Sequence, residues 1–287
     1  MQKSVLIILL IIFNLTFGQD FLIEFDRYNP IYTFKWDGYE VPNHYEVKLE
    51  FIKYIDSNKL LEEEKRALEM MDTQLRFEIR AVDLNNDKLA DIIYQGPYTG
   101  EGSVVYIFIQ TESGFQKVFT TQQGIMKVDW KGEHLDKLYV KDWGCCADPN
   151  LTNSVYQASY SGSIPSFKLI WKSVELRSFI TKPKHTFTPK RFEIVNQKYK
   201  FRANPWIDDK TVNEFLGITG NTIGILKKGY KGTAYASHED DTGRIWWYVL
   251  IDREHELENT YINYKHHRFK PHLIGWISSR FIKEIKN

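Results

Sequence analysis

Between residues 90 and 171 the chain runs as short apolar stretches, at 91–94, 104–109, 115–119, 125–130, 138–140, 154–160 and 167–171, separated by turn-forming residues. None is long enough to lay down a helical stripe, and Gly114, Gly124 and Gly132 stand where a tight turn calls for positive φ. Strands joined this closely pair first with their neighbours, so the region is expected to be a β-meander. An aromatic content of 15% agrees, because aromatic side chains suit a pleated surface.

Upstream, residues 46–51 alternate Glu46, Lys48 and Glu50 with Val47, Leu49 and Phe51, the period of a strand. One helix is expected next, capped by Ser57 or Asn58 and lying on the sheet through Leu60, Leu61, Ala67, Leu68 and Met71, with Glu62 four residues before Arg66. Residues 74–80 alternate again, with Leu75, Phe77 and Ile79 on one side, as a half-buried strand.

The first residues have the pattern of an address. Lys3 precedes an apolar run from Val5 to Phe13, and small residues at Thr16 and Gly18 mark a signal of residues 1–18 cut after Gly18. The run falls short of the ~20 residues a spanning helix needs, and no cysteine follows it to carry a lipid. The expectation is an exported protein, periplasmic or extracellular, with no membrane span after cleavage. Lysine and arginine number 38 against 37 acids. Near-neutrality leaves no basic field for nucleic acid. The two cysteines, Cys145 and Cys146, are adjacent; buried thiols, a vicinal disulfide and an intermolecular link are all open, with structural use favoured.

Residues 181–190 carry Pro183 and Pro189 among basic and polar neighbours, which reads as a linker between a domain of residues 19–180 and a second of residues 191–287.

Oxygen-bearing side chains at Asp83, Asn85, Asp87 and Asp91 run straight into the apolar stretch Ile92, Ile93, Tyr94. Such spacing can wrap a hard cation, with calcium the natural candidate; the alternative is a polar hairpin held by Asx hydrogen bonds with no metal. The stretch resembles the FG-GAP/VCBS-type repeat, whose Asp-x-Asp-x-Asp-Gly-x-x-Asp loop binds calcium between two strands. That resemblance implies side-chain ligands from Asp83, Asn85, Asp87 and Asp91 and a carbonyl from Leu89. Lys88 stands where the family has glycine. A second copy at residues 130–140 keeps only scattered acids, so a partial, non-closed β-domain is expected rather than a full propeller.

Farther on, residues 201–205, 221–235, 246–250 and 274–282 are similar to the successive strands of a bacterial Src-homology-3-type (SH3b) domain. The resemblance implies an SH3-like barrel, making the whole chain mainly β: an N-terminal β-meander domain with one helix plus a C-terminal SH3-like barrel. Longer segments at residues 208–220 and 252–272 depart from the short family pattern. On the strand around Trp247, one face carries Trp247, Val249 and Ile251, which fill the core; the other carries Trp246 and Tyr248, expected to contact a ligand, with Tyr230, Tyr235 and Trp276 as further candidates, the alternative being that Trp246 and Tyr248 are covered by the insertion at residues 252–272 or by the first domain.

His255, His266, His267 and His272 fall in the polar insertion, but Asn259 stands where a His-Glu-x-x-His helix needs its second histidine, so a solvated loop is expected. Residues 238–241 read as an exposed turn. No nucleophile elbow and no phosphate-binding glycine loop occurs. Cys145 sits in a turn-rich β segment, not at a helix start that would stabilise a thiolate. No catalytic residue is assigned. The expected role is non-catalytic binding of cell-envelope material, a cell-wall peptide or glycan or an envelope protein; the rivals are a secreted hydrolase with a site in the β-domain and an inhibitor or immunity protein docking on a secreted enzyme.

Overall fold

The computed structural model describes residues 21–22, 24–25, 34–56, 79–97, 103–122, 124–142, 150–176, 180–214, 217–262 and 268–286. The fold is mainly β, with one helix among its described elements. The expected signal at residues 1–18, the helix expected after Ser57, the pair Cys145 and Cys146, and His266 and His267 lie outside the described residues. Two compact units divide the chain: Asn29–Cys146 with Ser154–Ile170, and Met1–Tyr28 with Ala147–Asn153 and Trp171–Asn287.

In the first unit, β1 (Ile79–Val82), β2 (Asp91–Pro97), β3 (Ser103–Thr111) and β4 (Gly114–Thr121) pair antiparallel in chain order. A second run follows in the same way, from β5 (Gly124–Lys131) and β6 (His134–Asp142) to the portions of β7 (Asn150–Ser161) and β8 (Ile164–Leu176) that belong to this unit. Ile93, Val105 and Ile107 of the first sheet share a core with Ile125, Leu135 and Leu138 of the second. On the other face, Ile92, Tyr94 and Phe108 pack under helix α1 (His44–Asp56) through Val47, Phe51 and Ile55. A sheet covered on both faces has no need of alternation, which accounts for the unbroken run Ile92, Ile93, Tyr94.

Residues 46–51, expected as a strand, are helical instead. The buried positions are Val47, Phe51 and Ile55, spaced by four, and that period becomes visible only when the pattern is followed past Phe51. Of residues 74–80, Ile79 and Arg80 open β1; residues 74–78 lie outside the described residues.

The second unit contains β9 (Thr186–Ile194), β10 (Lys198–Arg202), β11 (Val212–Asn213), β12 (Ile218–Thr219), β13 (Thr222–Lys227), β14 (Lys231–Glu239), β15 (Ile245–Ile251), β16 (His272–Ser278) and β17 (Ile282–Glu284). Their main pairing order is β17-β9-β14-β15-β16-β10-β13, with β8 added in parallel to β16 through Ser173 and Val174. Phe192 and Ile194 of β9 share one core with Phe201, Ile223, Leu226, Val249 and Ile277, so the two ends of this order curl toward each other. Gly275 lets the curl tighten: a Cβ there would sit 2.6 Å from the Phe201 ring. The barrel expected here is not closed by strand pairing among the described residues. The gap between β9 and β13 is bridged by a turn, where Ile194 N donates to Tyr230 O at 2.8 Å and Gly229 N donates to Ile194 O at 2.9 Å.

The expected linker at 181–190 is strand in its second half. Thr186 to Lys190 belong to β9, and Lys190 pairs with Ala234 of β14. Pro189 is tolerated because β17 flanks β9 only from Phe192 onward, so its missing N–H interrupts no ladder there. The boundary expected at 180 moves as well, since residues 150–153 and 171–176 cluster with the C-terminal strands.

Candidate functional site

Four of the five aromatics expected to meet a ligand are buried. Trp246 and Tyr248 are wholly enclosed, and Tyr235 and Trp276 nearly so. They form a second aromatic layer on the sheet face opposite the core, with Tyr248 ring centres 5.0 Å from both Tyr235 and Trp276. Trp246 donates from Nε1 to Asp240 Oδ2 at 2.8 Å. Asp240 also takes the Thr242 hydroxyl at 2.6 Å and the Arg244 amide at 3.1 Å, and these donors, Thr242 foremost, hold its carboxyl far below the usual range. Trp246 is therefore a brace for the turn at 240–244, not an open contact.

Tyr230, the fifth, is half-buried and stacks on His255 with centroids 4.4 Å apart, its hydroxyl donating to Glu256 O at 2.8 Å. His255 is thus docked rather than solvated as expected. His272 lies in β16 with Nδ1 3.3 Å from Ile251 O, and burial keeps its pKa down. Asp252, Glu254 and His255 bring metal-capable atoms within 4.8 Å of one another. A cation already serves them: Arg191 forks onto Asp252 at 2.7 and 2.6 Å, while His255 Nε2 accepts the Lys231 amide at 2.9 Å.

The surface feature that sequence reasoning missed is the loop at residues 203–211. Trp206 and Ile207 are exposed at 44% and 53%, and Val212 just beyond at 61%, which makes this the densest run of exposed large apolar side chains among the described residues. Underneath lies a polar frame. Buried Arg202 donates from Nη1 to Asn221 Oδ1 at 2.6 Å and Asp208 O at 3.1 Å, and pairs with Asp209 at 3.0 Å. Asn221 returns Nδ2 to Trp206 O at 2.8 Å and its amide to Asp208 O at 2.9 Å. Gly220, at φ +72°, completes the frame, since a Cβ there would meet Asp208 O at 2.4 Å. The signal in the sequence is Trp206 and Ile207 set between Pro205 and Asp208, an apolar pair inside turn chemistry that offers no core to enter.

In the first unit, the loop at residues 83–91 is closed by its own groups. Asp83 Oδ1 and Oδ2 accept the amides of Asp87 and Lys88 at 3.2 and 3.1 Å. Asp87 Oδ1 takes the Leu89 amide at 2.9 Å, and its Oδ2 takes Asn85 Nδ2 at 2.9 Å. Asp91 is fully enclosed, its oxygens accepting Leu84 N at 2.9 Å and Gln110 N at 3.0 Å. Burial pushes its carboxyl up to about 8 despite those two amides, with Asp87 and Asp83 adding to the rise.

A calcium ion needs six to eight oxygens converging on one point. The three carboxylates of this loop are not among the metal-capable groups that gather within 4.8 Å, and all six of their oxygens accept hydrogen bonds from the protein. As arranged, the donor set does not fit a cation cage.

The loop does bind its own second sheet. Asn85 Nδ2 donates to Ser163 O at 2.7 Å, Leu135 N to Leu84 O at 2.9 Å, and the Tyr160 hydroxyl to Leu135 O and Leu84 O at 2.7 and 3.2 Å. Beside it a cavity of about 400 Å³ is lined by His134, Asp136, Gln157 and Tyr160, among others. Its Asp136 accepts from Gln157 Nε2 at 2.7 Å and from Lys137 Nζ at 2.6 Å. Comparisons with protein-family models, curated proteins and solved structures return no match for the chain.

Proposed function

We propose that this chain is an exported, non-catalytic binding protein, and that its C-terminal unit is an SH3-type module recognising cell-envelope material. The observation that carries the reading is the loop of Trp206, Ile207 and Val212: large apolar side chains held at the surface by a buried Arg202 and Asn221 frame. Exposing such groups is unfavourable unless a partner covers them, and a rigid frame lowers the ordering cost of that contact. The contact therefore moves from Trp246 and Tyr248, which are enclosed, to Trp206. We further propose that the FG-GAP-like loop acts as a clasp between two sheets of the first unit, closed by its hydrogen bonds rather than by calcium.

Cosedimentation of the purified protein with cell-wall sacculi tests the first proposal. Trp206→Ala should weaken retention by about 1–3 kcal/mol while changing stability by less than about 0.5 kcal/mol, as for a surface contact residue. No retention of the parent protein, or equal retention of Trp206→Ala, would count against wall recognition by this loop.

A further inference from the structure

The aromatic face of β15 and β16 is covered by another stretch of the same unit. Trp276 Nε1 donates to Thr181 O at 2.8 Å, and Lys182 places its ammonium on Glu175 Oε2 and donates to the Tyr248 hydroxyl at 3.2 Å. The same ammonium lies 5.8 Å from the Tyr248 ring centre. Thr181 is held in addition through Ala203 O at 3.1 Å and Asn204 Oδ1 at 2.7 Å. The Glu175 side chain is only 4% exposed, whereas that of Lys182 above it is 37% exposed.

A carboxylate enclosed to this degree requires a cation, because leaving it charged and unpaired away from water is strongly unfavourable. What stands beside it is the Tyr248 hydroxyl, so the seat offers one carboxylate oxygen and one phenol oxygen to a compact ammonium, where a planar guanidinium would need a wider fork. One residue earlier, the indole N–H of Trp276 donates to a main-chain carbonyl, and one residue later Pro183 restricts the chain to an extended course. Together these anchors specify a short pattern: a carbonyl, then a lysine-type ammonium, on an extended backbone.

We propose that Glu175, Tyr248 and Trp276 form a recognition site for an extended peptide bearing a primary ammonium, and that Thr181 and Lys182 fill it in cis. Residues 181–185 belong to no strand or helix, so exchanging them for a second peptide of the same chemistry breaks no ladder. The polar, proline-containing composition of this segment is that of a peptide ligand as much as of a linker. The site adjoins the start of the Trp206 loop through Thr181, which bonds Ala203 and Asn204, but it uses none of that loop's exposed side chains and does not depend on wall binding.

The full-length protein is titrated calorimetrically with the end-blocked peptide Ile-Thr-Lys-Pro-Lys. Lys182→Ala should bind it at least about ten-fold more tightly than the parent chain, in which Lys182 competes. Replacing the first lysine of the peptide by norleucine should abolish that gain, as should adding Glu175→Gln to the protein. Equal affinity of Lys182→Ala and parent, or equal binding of the norleucine peptide, overturns the proposal. If Lys182→Ala does not fold by circular dichroism, Lys182→Gln carries the same comparison, and failure of both to fold makes Lys182 a structural strap and also overturns it. Sacculus retention by the Lys182 and Trp206 variants separates this outcome from the fate of the wall-binding reading.

Discussion

The loops at residues 83–91 and 203–211 are ordered by the same chemistry, aspartate oxygens accepting nearby amides, yet they turn it in opposite directions. In the first, Asp83, Asp87 and Asp91 fold their oxygens back onto the loop and onto Gln110, and the surface receives Lys88 and a single leucine, Leu89. In the second, Asp208 takes the amides of Lys210 and Thr211, each at 3.0 Å, while Arg202 and Asn221 hold the chain from beneath and Trp206 and Ile207 point outward. Internal hydrogen bonding by itself therefore does not separate a clasp from a presenting loop. What separates them is where the frame lies: a frame inside the loop consumes its side chains, and a frame below it frees them for a partner.

The largest expected effect tests the closed loop. Asp91 titrates near 4 in an unfolded chain and at about 8 in the fold. Between those values the folded state holds the extra proton. The contribution of Asp91 to stability is therefore full below pH about 4 and is lost as pH rises through about 8, at no more than about 1.4 kcal/mol per pH unit. Urea unfolding from pH 4.5 to 8 should show this decline in the parent protein and a flatter profile in Asp91→Asn. Parallel profiles would mean that the two amides, not burial, govern Asp91.

Next in size is the frame of the presenting loop. Arg202→Ala takes the buried guanidinium from Asn221 Oδ1 and Asp209 and leaves Asp208 O with the Asn221 amide alone, and a loss of about 3 kcal/mol is expected. Arg202→Lys should recover only part of it, because an ammonium cannot reproduce the guanidinium fork. A loss below about 1 kcal/mol in thermal unfolding of Arg202→Ala would erase the distinction between the two loops.

How much of this was legible follows from what each element asks of neighbouring residues. The meander turns were, since Gly114 and Gly132 do adopt positive φ and each turn is encoded locally. Helix α1 was misread because six residues satisfy a period of two, and the spacing of four emerges only with Ile55. The start of β9 resembled a linker because a strand exposed at its edge needs few apolar residues. For β15, alternation separated the face of Val249 from the face of Tyr248, but not what covers the latter: Lys182 is 66 residues away in the chain. Only the fold brings that ammonium to Tyr248. The clasp loop was readable as a turn, while the direction of Asp91 depended on Gln110 and that of Asn85 on Ser163, which belong to other strands and turns.

The smallest expected effect sharpens the comparison most. Lys88 stands at φ +73°, in the left-handed region, at the position where the resembling repeat carries glycine. A side chain with a Cβ costs about 1 kcal/mol or more there, and glycine would remove that cost while adding about 0.5–1 kcal/mol of chain entropy to the unfolded state. The exposed contact of Lys88 Nζ with Asn86 Oδ1 at 2.6 Å contributes little. Lys88→Gly should therefore shift stability by no more than about 0.5 kcal/mol, toward stabilisation, read as a rise in melting temperature of about 1–2 °C. The informative arm adds calcium or a chelator to both proteins. If the loop is a clasp complete in itself, neither melting curve responds. A calcium-dependent rise confined to Lys88→Gly would instead show that the carboxylates can still gather around a cation once the lysine is gone, and that one residue separates a metal site from a hydrogen-bonded turn.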